Sequence, residues 1–204
     1  MLNSVMVGER VVTPSKVVCV GRNYVEHIAE LGNEVGDEMV VFFKPNSAIS
    51  AELTATHHEP LSYEGELCFV YEGGRFTAVG FGLDLTKRQL QSQLKAKSLP
   101  WERAKAFDGA AVFGPFVELC HAIELLSFSL SINGSQVQQA GPERMIYKPD
   151  VILAGLAEFV SLQDGDIVMT GTPKGVGIIH PGDRFSGSVY ADNKTLTSVS
   201  WVAK

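Results

Sequence analysis

Hydrophobic and polar positions alternate along this chain in short blocks, and most blocks are too short for long helices. Lys16–Val20 is a β-branched run stopped by Gly21 and predicts a buried strand. The stretch from Gly21 to Glu34 follows, with Asn23 as a possible helix cap and Gly32 as a stop. Met39–Phe43 predicts a second strand, closed by Lys44-Pro45-Asn46. Tyr63–Tyr71 and Phe76–Phe81 read as strands joined through Gly73-Gly74. Asp84–Lys97 has helical spacing, with Thr86 and Gln89 matching a capping box. Ser129–Ile132, Asn133-Gly134 and Gln136-Val137 read as a tight hairpin. A short apolar helix is expected over Val151–Phe159, capped by Asp150. Ile167–Thr170 is a strand entering the glycine-rich loop Gly171–Gly177, and a last pair of strands turns around Asp192-Asn193. Long helices do not alternate with the strands, which argues against a doubly wound sheet. The expectation is an α+β, mostly β, sandwich or roll with a few short helices, in a single domain over residues 1–204.

Composition narrows the class. At 204 residues, 45% hydrophobic and 20% charged, the chain has ordinary globular proportions. Its 17 basic and 23 acidic side chains give a net charge of −6, which lacks the basic footprint of a nucleic-acid binder. No apolar run approaches the ~18 residues of a membrane span, and the charged N-terminal stretch does not read as a secretory signal. Cys19, Cys68 and Cys120 are widely spaced in apolar stretches and are expected to be buried small hydrophobes. A cytoplasmic location fits these features.

Three groups of residues could carry chemistry. Glu64 and Glu66 are two apart at the start of a strand, so both carboxylates share a face beside the apolar run Leu67–Val70. They are either a cation site or a solvated strand end with Gly65 at a bulge. Asp84 follows a strand that hairpin connection places beside them, and reads either as a helix cap or as a third ligand. Three carboxylates without His or Cys would select a hard cation, Mg²⁺ or Mn²⁺. His27 and Glu30, three apart, are either an imidazole with its tautomer-fixing acid or a surface ion pair. Lys105 and Asp108 sit in a mixed-charge segment that reads as solvated. The 171–177 glycines either aim N–H groups at an anion or form an ordinary turn.

Six segments together are similar to the fumarylacetoacetate hydrolase family, in its short acylpyruvase-type members. They are CVGRNYVEH (19–27), FFKP (42–45), YEGEL (63–67), GFGLDLTKRQLQ (80–91), RAKAFD (103–108) and GDIVMTGTPKGVG (165–177), in family order. The resemblance implies a mixed β-sandwich roll in a homodimer, with metal carboxylates Glu64, Glu66 and Asp84 and a catalytic His27–Glu30 pair. It implies Lys105 facing the reacting oxygen, and substrate contacts from Arg22, Arg88, Gln91 and Thr172. Two departures stand out: Gln89 where members commonly carry Asp, and no Cys-Pro within 109–113. The activity expected from the resemblance is metal-dependent hydrolysis of the C–C bond of a 3-acylpyruvate, a small β-diketo acid. The alternatives on the same site are oxaloacetate tautomerisation or decarboxylation and 2-hydroxy-dienoate isomerisation, and, in another class, a metal-stabilised module without turnover.

Overall fold

A computed structural model describes residues 2–30 and 38–204, without the side chains of residues 27–29. The principal elements are β1 (Lys16–Gly21), α1 (Val25–Glu30), β2 (Val40–Pro45), β3 (Gly65–Glu72), β4 (Arg75–Asp84), α2 (Arg88–Ala96) and α3 (Glu102–Lys105). They continue as β5 (Leu126–Ile132), β6 (Ser135–Ala140), α4 (Pro149–Ala157), β7 (Ile167–Met169), β8 (Arg184–Ala191) and β9 (Lys194–Val202). The larger sheet runs β2–β1–β7–β3–β4 and continues through Ala111–Phe113 to Ile49–Ser50. β1 and β7 pair parallel, whereas β7–β3 and β3–β4 pair antiparallel. The smaller sheet runs β6–β5–β8–β9, antiparallel throughout.

The apolar runs explain the layering. The two sheets enclose a core of Phe69, Phe81, Phe128, Phe185, Val189 and Trp201. The far face of the larger sheet buries Cys19, Cys68, Val70, Ile167 and Met169 under Val5, Val7 and Phe116. β3 is therefore covered on both faces, which is why Leu67–Val70 shows no alternation. The sheets approach closely where Phe81 of β4 faces Gly187 of β8: a Cβ there would lie 2.1 Å from Phe81 Cδ1. Asn133 (φ 52°) and Gly134 (φ 83°) form the tight turn of the β5–β6 hairpin, as their sequence predicts.

Several local expectations are corrected. The Thr86/Gln89 capping box does not form: α2 begins at Arg88, and its first-turn N–H groups of Gln89 and Leu90 point to Glu59 Oε1 at 3.2 and 3.4 Å. Asp84 is not a cap but the last residue of β4. Asp150 lies inside the first turn of α4, which Pro149 opens. Asn23 does not cap α1; its buried amide donates to Thr170 O (2.8 Å) and Tyr147 O (2.9 Å) and accepts from Tyr147 N (2.7 Å). Cys19 and Cys68 are buried as expected, but Cys120 is exposed. Gly32 and Glu34 lie outside the described residues. Among the described residues no helix is long and apolar enough to cross a membrane.

Candidate active site

Backbone pairing alone brings the three acids together. β3 and β4 pair with Glu66 opposite Gly82 and Gly65 opposite Leu83, and Asp84 N donates to Glu64 O at 2.8 Å. Glu64, Glu66 and Asp84 are all buried, and one carboxylate oxygen from each lies within 4.8 Å of the others. The solvated-strand reading of the glutamates is thereby excluded. The Gly65 backbone, far from forming a bulge, is tied down: Gly65 N donates to Gln138 Oε1 (3.0 Å), and Gly65 O accepts from Thr172 Oγ1 (2.9 Å). Gln138 Nε2 in turn donates to Thr172 Oγ1 at 2.9 Å, so β6 braces the glycine-rich loop against β3.

Three converging carboxylates repel one another, and buried cations compensate them. Lys105 is buried, not solvated as the charge pattern of its segment suggested. Its Nζ donates to Glu64 Oε2 (2.8 Å), Asp84 Oδ2 (2.7 Å) and Thr86 Oγ1 (2.6 Å). That third bond explains the lost capping box, because the Thr86 hydroxyl is occupied with Lys105. Burial pulls the Lys105 pKa down, but the Asp84 and Glu64 charges outweigh it and hold it above the ordinary lysine value. Lys44, 0% exposed, donates to the Lys105 carbonyl and sets its Nζ 2.8 Å from Asp84 Oδ1. This second ammonium escaped the sequence reading, where Lys44 was part of the FFKP segment and of the turn closing a strand that in fact runs on to Pro45. The one signal was its place at the end of the apolar run Val40–Phe43.

Glu66 has a different environment. Burial, then the charges of Asp84 and Glu64, push its carboxyl well above the usual range, while Gly171 N, donating to Oε2 at 2.7 Å, pulls the other way. The anion that the glycine-rich loop serves is thus the protein's own Glu66. A second loop N–H, that of Gly175, donates to Glu30 Oε1 at 3.0 Å, and Lys174 pairs with Glu26 at 3.0 Å. Both contacts strap α1 to the loop. His27 lies on α1, and its side chain, with the expected pairing to Glu30, lies outside the described residues.

A hard divalent cation fits this donor set. All three ligands are carboxylates, and Asp84 Oδ1 is buried without a hydrogen-bond donor, because Lys44 lies within ion-pair range but off the hydrogen-bonding line. Glu66, pushed towards its protonated form by burial and by Asp84 and Glu64, is a further oxygen whose ionised form a cation would favour.

Of the other described residues expected at the site, five converge on the same cavity, and Glu30 lies on the strap. Arg22, Arg88, Gln91, Lys105 and Thr172 line it with the three acids, beside Phe42, Lys95 and Trp101. Arg88 Nη2 reaches Glu64 Oε1 at 2.5 Å, and its Nη1 donates to Gln91 Oε1 at 3.1 Å. Arg22 adopts the left-handed region (φ 56°), held there by the bonds of Asn23 next to it. For a non-glycine residue that conformation costs of order 1 kcal/mol and concentrates at functional sites. Lys95 and Trp101 are additions that the sequence reading did not single out.

The chain is similar to known proteins in sequence and in fold. The fumarylacetoacetate hydrolase C-terminal family profile matches residues 16–198. The chain is 37% identical over 207 residues to an oxaloacetate tautomerase of Escherichia coli, covering 90% of this chain and 91% of that one. It is 36% identical over 191 residues to a mitochondrial oxaloacetate tautomerase of Schizosaccharomyces pombe (84% and 86% covered). The crystal structure of fumarylpyruvate hydrolase from Pseudomonas aeruginosa with Mn²⁺ and pyruvate is similar at TM-score 0.88 and 29% identity, covering 99% of this chain and 95% of that one. With its acid trio, its bracing loop and a match across nearly its whole length, the chain belongs to the fumarylacetoacetate hydrolase family.

Proposed function

We propose that this protein is a divalent-metal-dependent oxaloacetate tautomerase, interconverting the keto and enol forms of that β-keto dicarboxylic acid. The expectation from the sequence, C–C hydrolysis of an acylpyruvate, gives way to this alternative because the two relatives cited above, similar over 84–90% of the chain, are named oxaloacetate tautomerases. The observation that carries the reading is the make-up of one cavity: three buried carboxylates, with Arg22, Arg88, Lys95 and Lys105 around them. A site with more cationic side chains than acids, once a cation joins the acids, suits a small dianion rather than a neutral substrate.

A divalent ion held by Glu64, Glu66 and Asp84 would supply positive charge beside the substrate's 1-carboxylate and 2-oxo oxygens, where charge develops as the C3 proton leaves. Lys105, kept cationic by Glu64 and Asp84, holds a proton at Nζ for the 2-oxo oxygen. His27 takes the C3 proton, with Glu30 orienting the imidazole from the same helical face. The balance is one C–H bond broken and one O–H bond formed, with no change in oxidation state. Arg88 and Gln91 orient the substrate from α2, and Thr172 keeps the loop closed on β3. The pair at positions 27 and 30 would equally activate water in the second reading, acylpyruvate cleavage, which the likeness to fumarylpyruvate hydrolase favours. The homodimer implied by the resemblance is part of the same proposal and is read by sedimentation.

The test follows the enol absorbance of oxaloacetate with Mg²⁺, beside cleavage of acetylpyruvate. The expected result is rapid ketonisation abolished by chelator, with acetylpyruvate slow. Acetylpyruvate cleavage outpacing ketonisation would overturn the reading in favour of the hydrolase.

A further inference from the structure

The cations of the cavity are not equivalent. Lys105 is committed to Glu64 and Asp84, and Arg88 to Glu64 and Gln91. Lys95, one helical turn beyond Gln91, lines the same cavity at spacing i, i+3, i+7 from Arg88. Among the described residues it has no carboxylate within ion-pair distance. Its contact is the ring of Trp101, whose centroid lies 4.6 Å from Nζ, a cation–π arrangement. Trp101 packs in turn against Phe42, and its segment leads directly into α3 and Lys105. The ammonium is thus half-buried on an aromatic wall, and the like charges of Arg22, Arg88 and Lys105 outweigh that of Glu64 upon it. Burial first, then the fields of Arg22, Arg88 and Lys105, bring its pKa down to about 8. A positive group held in such a place gains most from an anion that enters the cavity.

We propose that Lys95, seated on Trp101 with Arg22 at the same cavity wall, receives the second carboxylate of the substrate and thereby selects dicarboxylic 2-keto acids over monocarboxylic ones. The substrate's two ends then meet different chemistry. The 1-carboxylate and 2-oxo oxygens face the acid trio and its cation, and the far carboxylate faces Lys95. Trp101 already holds the Lys95 ammonium over its ring, so less side-chain freedom is lost on binding. This inference rests on the tautomerase reading for the identity of the dicarboxylate, but its test separates the two.

The variant is Lys95→Met, which keeps an apolar stem over Trp101 and removes the charge. Binding to the Mg²⁺-loaded protein is measured by thermal shift with oxaloacetate, which has a far carboxylate, and with oxalate, which offers only a chelating pair. A lost charge-assisted hydrogen bond predicts oxaloacetate binding weakened by about tenfold or more. Oxalate binding stays unchanged, and Lys95→Arg restores oxaloacetate binding. Equal weakening of both ligands, or no weakening of either, overturns the inference. A wild-type protein that shows this discrimination but does not ketonise oxaloacetate sinks the tautomerase reading and leaves the carboxylate site standing.

Discussion

Replacing Lys44 by Met removes one of two ammonium groups that balance the acid trio. Lys44 is 0% exposed and Asp84 1%, so solvent does not screen their 2.8 Å pair. Breaking a buried pair by deleting one partner costs about 3–5 kcal/mol, because the remaining charge stays buried. In a domain of this size each kcal/mol moves Tm by about 2–4 °C, so the variant should melt roughly 6–20 °C lower in chelator. The exposed pair Arg10–Glu72, with side chains 54% and 24% exposed, provides the contrast. Breaking it should change stability by less than about 1 kcal/mol. A divalent cation placed among the acids takes over part of the missing charge, so saturating Mg²⁺ should raise the Tm of Lys44→Met by more than that of the wild type. Differential scanning calorimetry with and without Mg²⁺ reads both effects. A Tm loss of less than about 2 °C in chelator, or an equal Mg²⁺ increment in both proteins, would refute the charge-balance reasoning.

Two further outcomes follow from other parts of the fold. Gly187→Ala forces a methyl group against Phe81, and urea unfolding should register a loss of about 1–3 kcal/mol or more. Asp166 is buried at the foot of β7; burial alone would raise its pKa, but bonds from Gln163 N, Lys16 Nζ, Ser15 Oγ and Lys16 N together lower it from 3.8. A depressed carboxylate stabilises the fold above its unfolded pKa, and that contribution is lost as pH falls through the folded value. The wild type should therefore lose stability below about pH 3.9, and Asp166→Asn, weaker at neutral pH, should show a flatter acid limb of the urea midpoint.

Much of this molecule is legible in its sequence, for identifiable reasons. The turn residues Asn133-Gly134 and Gly73-Gly74 fix hairpins through backbone geometry that few other residues adopt, and both turns form. The period of two along a strand puts Glu64 and Glu66 on a common side, and hairpin adjacency brings Asp84 to them. What the pattern hides is charge compensation. Lys105 reads as a surface residue because lysines are seldom buried alone, and its burial depends on acids 21 and 41 positions away. Thr86 and Asn23 look like helix caps because short polar side chains cap helices locally. Here long-range partners, Lys105 for one and Tyr147 and Thr170 for the other, bind the same groups. Gln138 shows the same limit: on an alternating strand it looks exposed, yet it is buried and joins β3 to the 171–177 loop.

The proposed chemistry needs a divalent ion gripped by Glu64, Glu66 and Asp84, and titration calorimetry of chelator-stripped protein with Mn²⁺ tests that most directly. The predicted result is one ion per chain in the wild type, with binding lost in Glu66→Gln while circular dichroism shows the variant folded. Undiminished Mn²⁺ binding by folded Glu66→Gln would contradict it.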